Sequence, residues 1–293
     1  MEQRKFGNTS LAVSRLTFGC GAVGGLMTKG DARDQDRAIG WARDHGINFF
    51  DTAASYGNGV SEENLGRALN GNSDGLVIST KVGLSNDDLS DVYGAITRSL
   101  DASLARLRLD HVDIFQLHNT LGRTDFRGTL TIDQIMDAVV PAFDKLRDTG
   151  KVRFLGFTAK GEADDVHKLV SCGVFHSAQV FYNLLVPSAG EPIAATYPSD
   201  DYKLLLETAK NHGVGAIGVR VLAGGALSGS TARHPLGMRE VTPIGSETDY
   251  ATDVKRGLAF MPLVEAGHAG SLIELAIRYV ISNPALPTTE IGI

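Results

Sequence analysis

Residues 47–57 read INFFDTAASYG: an apolar run, an aspartate, then a short stretch ending in tyrosine and glycine. The run Ile47–Thr52 is apolar at neighbouring positions, not at alternate ones. That is the pattern of a strand covered on both faces, as in a parallel sheet. Seven other segments carry strand patterns, most of them of the same continuous kind: Leu16–Cys20, Leu76–Val82, Val112–His118, Val152–Thr158, Ser177–Tyr182, Val214–Leu222 and Thr288–Ile293. Helical patterns lie between them, at Asp34–Asp44 before Gly46, Leu89–Arg108, Ile132–Thr149 before Gly150, Ala163–Ser171, Tyr202–His212 and Leu272–Ile281. Ser61 is expected to cap a further helix through Leu65 and Leu69, with Glu62 and Glu63 at the positive end of its dipole. Eight strand–helix alternations predict right-handed crossovers and either a closed (β/α)8 TIM barrel or a large open sheet. With no repeat, low-complexity tract or linker, residues 1–293 read as one domain, the first 14 forming a hairpin at the barrel bottom.

Composition narrows the class. Of 293 residues, 43% are hydrophobic and 21% charged, which fits a folded globular protein and excludes disorder. The formal net charge of −6 gives no pull toward nucleic acid or an anionic membrane. No run reaches the ~18 apolar residues of a membrane span. The N-terminus lacks the apolar core of a secretory signal, and Cys20 and Cys172 form no disulfide framework. The expectation is a cytoplasmic protein. No His, Asp, Glu or Cys group has metal-ligand spacing, so no metal is expected.

Glycine stands at 34 positions and clusters after strands one and seven. Gly19-Cys20-Gly21-Ala22-Val23-Gly24 fits G-x-G-x-x-G, but no helix starts inside it, so it reads as a loop that lets a flat ligand approach the backbone. The long connections Asn119–Thr131, Asn183–Asp200 and Ala223–Thr252 each follow a strand. Loops after barrel strands form the active-site face, so all three are expected to meet substrate or cofactor.

Asp51 ends strand two, Tyr56 follows it, Lys81 ends strand three and His118 ends strand four. In a barrel the four share one face. An ammonium beside a phenol favours the phenolate and should lower the tyrosine pKa from ~10. Asp51 can hold Lys81 charged, and His118 can hydrogen-bond a substrate oxygen. A tuned proton donor beside a carbonyl suits carbonyl reduction or alcohol oxidation. Side chains cannot supply hydride, so a nicotinamide cofactor is implied.

In this context the sequence resembles the aldo-keto reductases along nearly its whole length. Phe50–Gly57 resembles the segment around that family's catalytic Asp and Tyr, and Ser79–Lys81 and Asp113–His118 resemble those holding its Lys and His. Arg4–Gly7 with Leu16–Gly21 resembles its opening hairpin and first strand. The resemblance implies a (β/α)8 barrel that binds NADP(H) across its C-terminal face, with Asp51, Tyr56, Lys81 and His118 catalytic. It also implies cofactor contacts at Gly21, Ala22, Thr158, Gln179, Leu222, Ala223 and Gly225, while Arg220, in a run that departs from the family, reads either as a further cofactor contact or as an ion-pair residue. Several positions depart from the family pattern. Ala159 stands where an Asn is usual, Ala22 where a Thr is common, and Val219–Leu222 replaces the Tyr-Ser-Pro-Leu run. The sequence stops at Ile293 as strand eight finishes, before the family's phosphate-binding loop and last helix. NADP(H) is favoured over NAD(H), a choice that those missing parts normally settle. Gly218–Gly229 resembles a branch with sugar 1-dehydrogenases, so the expected partner is a small carbonyl compound, with aldoses among the candidates. The competing expectation is a cofactor-binding regulatory module with little activity, like the family's potassium-channel β subunits.

Overall fold

The computed structural model describes residues 1–122 and 128–293. Eight parallel strands close into a barrel. They are β1 Leu16–Gly19, β2 Phe49–Asp51, β3 Val77–Val82, β4 Val112–Leu117, β5 Val152–Ala159, β6 Ser177–Phe181, β7 Gly215–Val219 and β8 Thr288–Gly292. Their spatial order follows the chain, and β8 closes on β1 with Thr289 opposite Leu16 and Gly292 opposite Gly19. Every expected strand is present within two or three residues at each end. β3 and β4 are buried at all positions, because helices cover one face and the barrel interior the other; alternation has no water-facing side to record. Gln3–Lys5 pairs antiparallel with Ala12–Ser14. The turn between them sends the fully buried Phe6 edge-on against Phe49, plugging the N-terminal end of the barrel.

The helices follow the expected pattern with instructive exceptions. Ala32–Asp44 is capped by Asp31, whose carboxylate accepts from the Asp34 N–H at 2.8 Å, and ends before Gly46 at φ 79°. Val60–Leu69 starts after Gly59, and Ser61 does not cap it. Its hydroxyl is instead 2.9 Å from both the Cys20 carbonyl and the Thr52 hydroxyl, tying the helix to the exits of β1 and β2. Glu62 is buried in an ion pair with Arg106 on the next helix, Val92–Leu107. The helical run 132–147 widens into a π turn at Ile135–Val139. Pro141, lacking an N–H, cannot continue the regular ladder there. Tyr202–His212 contracts to Leu205–Asn211, and an unexpected helix, Tyr250–Leu258, ends the long connection after β7.

One packing detail is testable. A Cβ on Gly66 would lie 2.5 Å from the Arg106 carbonyl, which is backbone and cannot yield cheaply. Gly66→Ala should therefore lower stability by about 1–3 kcal/mol despite its better helix propensity. Urea unfolding checks this, and an unchanged or raised midpoint refutes it.

Candidate active site

The strand ends bring the four expected residues together. Asp51 closes β2 and is wholly buried, as is Lys81 near the end of β3. Lys81 Nζ donates to Asp51 Oδ2, to the Thr52 carbonyl at 2.7 Å and to Tyr56 Oη at 3.2 Å. All three ammonium protons are thus committed. Asp51 is saturated as well. Its Oδ1 accepts from Ser79 and, at 3.1 Å, from Gln116; its Oδ2 accepts from Lys81 and, at 3.1 Å, from Gln179. Each lone pair of this buried carboxyl group thus has a donor, which offsets the cost of burying it. Tyr56 and His118 stand above this pair, facing a cavity, with their rings edge to face at 5.8 Å. The Ser55 hydroxyl lies 3.4 Å from His118 Nδ1.

The electrostatic balance corrects one expectation. Burial pushes the Tyr56 pKa up to about 12, assisted by Glu290 and Asp51 and opposed by Lys81. The ammonium does lower it, but loss of water around the phenol outweighs that pull. Tyr56 therefore carries its proton at neutral pH. Burial, with the charges of Lys81 and Lys160, lowers His118 to about 3, so its ring is neutral. Lys81 is raised, because Asp51, Tyr56 and Glu290 together outweigh its own desolvation.

The cavity is ≈ 530 Å³ and opens at the C-terminal end of the barrel. Gly21, Ala22, Thr158, Gln179, Arg220, Leu222 and Gly225 all line it. Ala223 does not: it packs against the core, and Gly224 takes its place on the wall. Thr158 donates to Gln179 Oε1 at 3.2 Å, so the two form one polar edge. Of the three long connections, Ala223–Thr252 contributes most, including Arg233, Met238 and Ile244. Asn119–Thr131 contributes Thr120, while 123–127 lie outside the described residues. Asn183–Asp200 contributes nothing to the cavity; Leu185, Val186, Ser188 and Ala189 are buried in packing instead.

The cavity fits a dinucleotide. Arg220 and Arg233 both line it, and among the described residues neither is within salt-bridge distance of a carboxylate. Glycines make room for both. A Cβ on Gly224 would sit 2.9 Å from Arg220 Nη1, and one on Gly225 3.1 Å from Arg233 Nη1. Arg233 also donates to the Gly224 carbonyl at 2.8 Å and the Tyr250 hydroxyl at 3.0 Å, and two guanidiniums with no carboxylate partner among the described residues, beside a glycine turn, suit a pyrophosphate. No cluster of metal-ligating side chains occurs among the described residues.

Sequence reasoning missed Arg233, Lys160, Phe181 and Glu290 on the cavity wall. Glu290 carried the same signal that picks out Asp51, an acid near the C-terminal end of a barrel strand. No local pattern marks Arg233, which reaches the site from within a long loop.

No helix among the described residues is long and apolar enough to cross a membrane. Residues 15–292 match the model of the "Aldo/keto reductase family". L-galactose dehydrogenase of Arabidopsis thaliana is 30% identical over 300 residues, covering 100% of this chain and 84% of that protein. A probable voltage-gated potassium channel subunit beta of the same plant is 28% identical over 316 residues, covering 100% and 87%. In fold, a glycerol dehydrogenase from Gluconobacter oxydans matches with a TM-score of 0.70 at 23% identity, over 99% of this chain and 86% of that one. With its barrel, its cavity and a family match spanning nearly every residue, the chain belongs to the aldo/keto reductase family and is an NAD(P)-dependent oxidoreductase acting between carbonyl compounds and alcohols.

Proposed function

We propose that this chain is a cytoplasmic, single-domain oxidoreductase in which Tyr56 exchanges a proton with the substrate oxygen. Support comes from one arrangement: Lys81 donates to Tyr56 Oη, so the phenol's own proton is left for the cavity side. With its pKa up at about 12, Tyr56 holds that proton until an oxygen gaining negative charge takes it. Lys81 then stabilises the phenolate, and Asp51 keeps Lys81 charged and aimed. Neutral His118 orients the carbonyl by hydrogen bonding. The nicotinamide cofactor, when bound, supplies or accepts the hydride. Thr158 and Gln179 would hold its carboxamide, and Arg220, Arg233 and the turn at Leu222–Gly225 its pyrophosphate, with Gly21 and Ala22 opposite. NADP(H) is favoured over NAD(H).

The substrate class is a small aldehyde, ketone or aldose, and the similarity to an L-galactose dehydrogenase favours the aldose. Oxidation of aldoses with NAD(P)+ tests this, and turnover confined to aliphatic or aromatic aldehydes would refute it. Similarity to a channel subunit supports the second reading, a nucleotide-binding regulatory module. Nucleotide titration paired with a turnover assay separates them: tight binding without turnover would leave only the second. Arg220→Ala and Arg233→Ala should each weaken NADP(H) binding by about tenfold or more, since charge-assisted hydrogen bonds contribute about 1.5–3 kcal/mol. Unchanged dissociation constants in both would overturn the pyrophosphate assignment.

A further inference from the structure

Glu290 has no part in the mechanism above, yet it sits within the same polar cluster. Its side chain turns from β8 toward β1, where a Cβ on Gly19 would lie 2.7 Å from its Oε1 and 2.9 Å from its Cγ. The glycine leaves the carboxyl its berth. Glu290 Oε2 accepts from Gln179 Nε2 at 3.1 Å, and the same nitrogen is 3.1 Å from Asp51 Oδ2. One amide group therefore clamps two acids. The charged or titratable groups around Glu290 are Cys20 after β1, Asp51 and Tyr56 from β2 and its loop, Lys81 from β3, and Arg220 after β7. Two carboxyls this close cannot both ionise cheaply. One ammonium serves both, and Asp51 holds it directly.

We propose that Glu290 is a positioning residue of the proton-transfer site: clamped beside Asp51 by Gln179, it carries a proton of its own, and the presence or loss of that proton sets the charge against which Lys81 and Tyr56 work. This rests on the reading of Tyr56 as proton donor. Burial and Asp51 push the Glu290 carboxyl up to about 8, against Lys81 and Arg220. At neutral pH the site then holds a balanced Lys81–Asp51 pair and a neutral Glu290. At higher pH the proton leaves to solvent and Glu290 becomes negative. Its charge raises the cost of a Tyr56 phenolate, the form needed to oxidise an alcohol. Glu290 thus restrains the oxidative direction as the solution turns alkaline. The same shift has a stability consequence. A folded-state pKa above the unfolded value of 4.5 means that native stability falls as pH rises from 4.5 to about 8.

Two readouts on the full chain test this without turnover. Infrared difference spectra of wild type against Glu290→Gln should show a protonated carboxyl at pH 7 that is absent in the variant. That band should fade as pH rises through about 8. With 13C-labelled tyrosine, and Tyr56→Phe to assign the signal, Glu290→Gln should lower the ionisation midpoint of Tyr56 by about one pH unit or more. Glu290→Leu serves if the first variant does not fold. Absence of the protonated band, or an unmoved Tyr56 midpoint, overturns the proposal. If no carbonyl compound turns over in wild type, the reading of Tyr56 fails instead, while both spectra still judge Glu290.

Discussion

Tyr56→Phe is expected to lower carbonyl turnover by about 10²–10⁴-fold, the usual contribution of a positioned general acid, while NADP(H) binding stays nearly intact. The variant removes one oxygen and leaves the ring that packs edge to face on His118. Lys81 loses one of three acceptors but keeps Asp51 and the Thr52 carbonyl, so the cluster beneath should hold. What disappears is the group that carries a proton to the cavity. Steady-state kinetics with a nucleotide titration on the same sample measures both sides. Turnover within a fewfold of wild type would sink the mechanism. Loss of nucleotide binding in parallel would show instead that the ring, not the hydroxyl, had been disturbed.

The second large effect is on stability. Lys81→Met should destabilise the fold by about 3–5 kcal/mol, because it leaves Asp51 charged and wholly buried without its counter-ion. Ser79, Gln116 and Gln179 still donate to that carboxylate, but neutral donors do not replace a charge. The informative comparison is the double variant Asp51→Asn/Lys81→Met, which removes both charges and should be more stable than Lys81→Met alone. Urea unfolding at neutral pH compares the three. If Lys81→Met unfolds with wild-type stability, the pair contributes nothing to the fold and serves chemistry alone.

These two predictions concern residues that were legible in the sequence. Asp51, Lys81 and His118 each end an apolar run, and in a parallel barrel a strand's end is a place on the molecule, not just a position in the chain. Tyr56 was legible through its closeness to Asp51. Seven of the eight expected cofactor contacts also reach the cavity, because they too lie in the later part of a strand or just after one. The exceptions have specific causes. Ala223 lies in a turn where it and its two glycine neighbours all take positive φ, and only the glycines face the cavity. Asn183–Asp200 is long but packed: Asn183 bridges to the Arg220 carbonyl and Ser188 to the Asp200 carbonyl, and length alone does not distinguish a folded loop from an open one.

The sequence by itself determined the strand count, the parallel strands covered on both faces and the polar residues at their ends; its pattern left a closed barrel and an open sheet both standing, and the family resemblance pointed to the barrel. The strands were legible because burial on both sides of a strand leaves a local record, an unbroken apolar run, whatever the neighbours are. The tertiary structure alone decided the charge state of the site. Barrel closure sets Glu290 on β8 beside Gly19 on β1, and Gln179 then joins it to Asp51. The sign of the Tyr56 shift follows from that closure. An ammonium next to a phenol can be guessed from spacing, but the water lost from around the phenol, and a second acid from the far end of the chain, exist only once the barrel has closed.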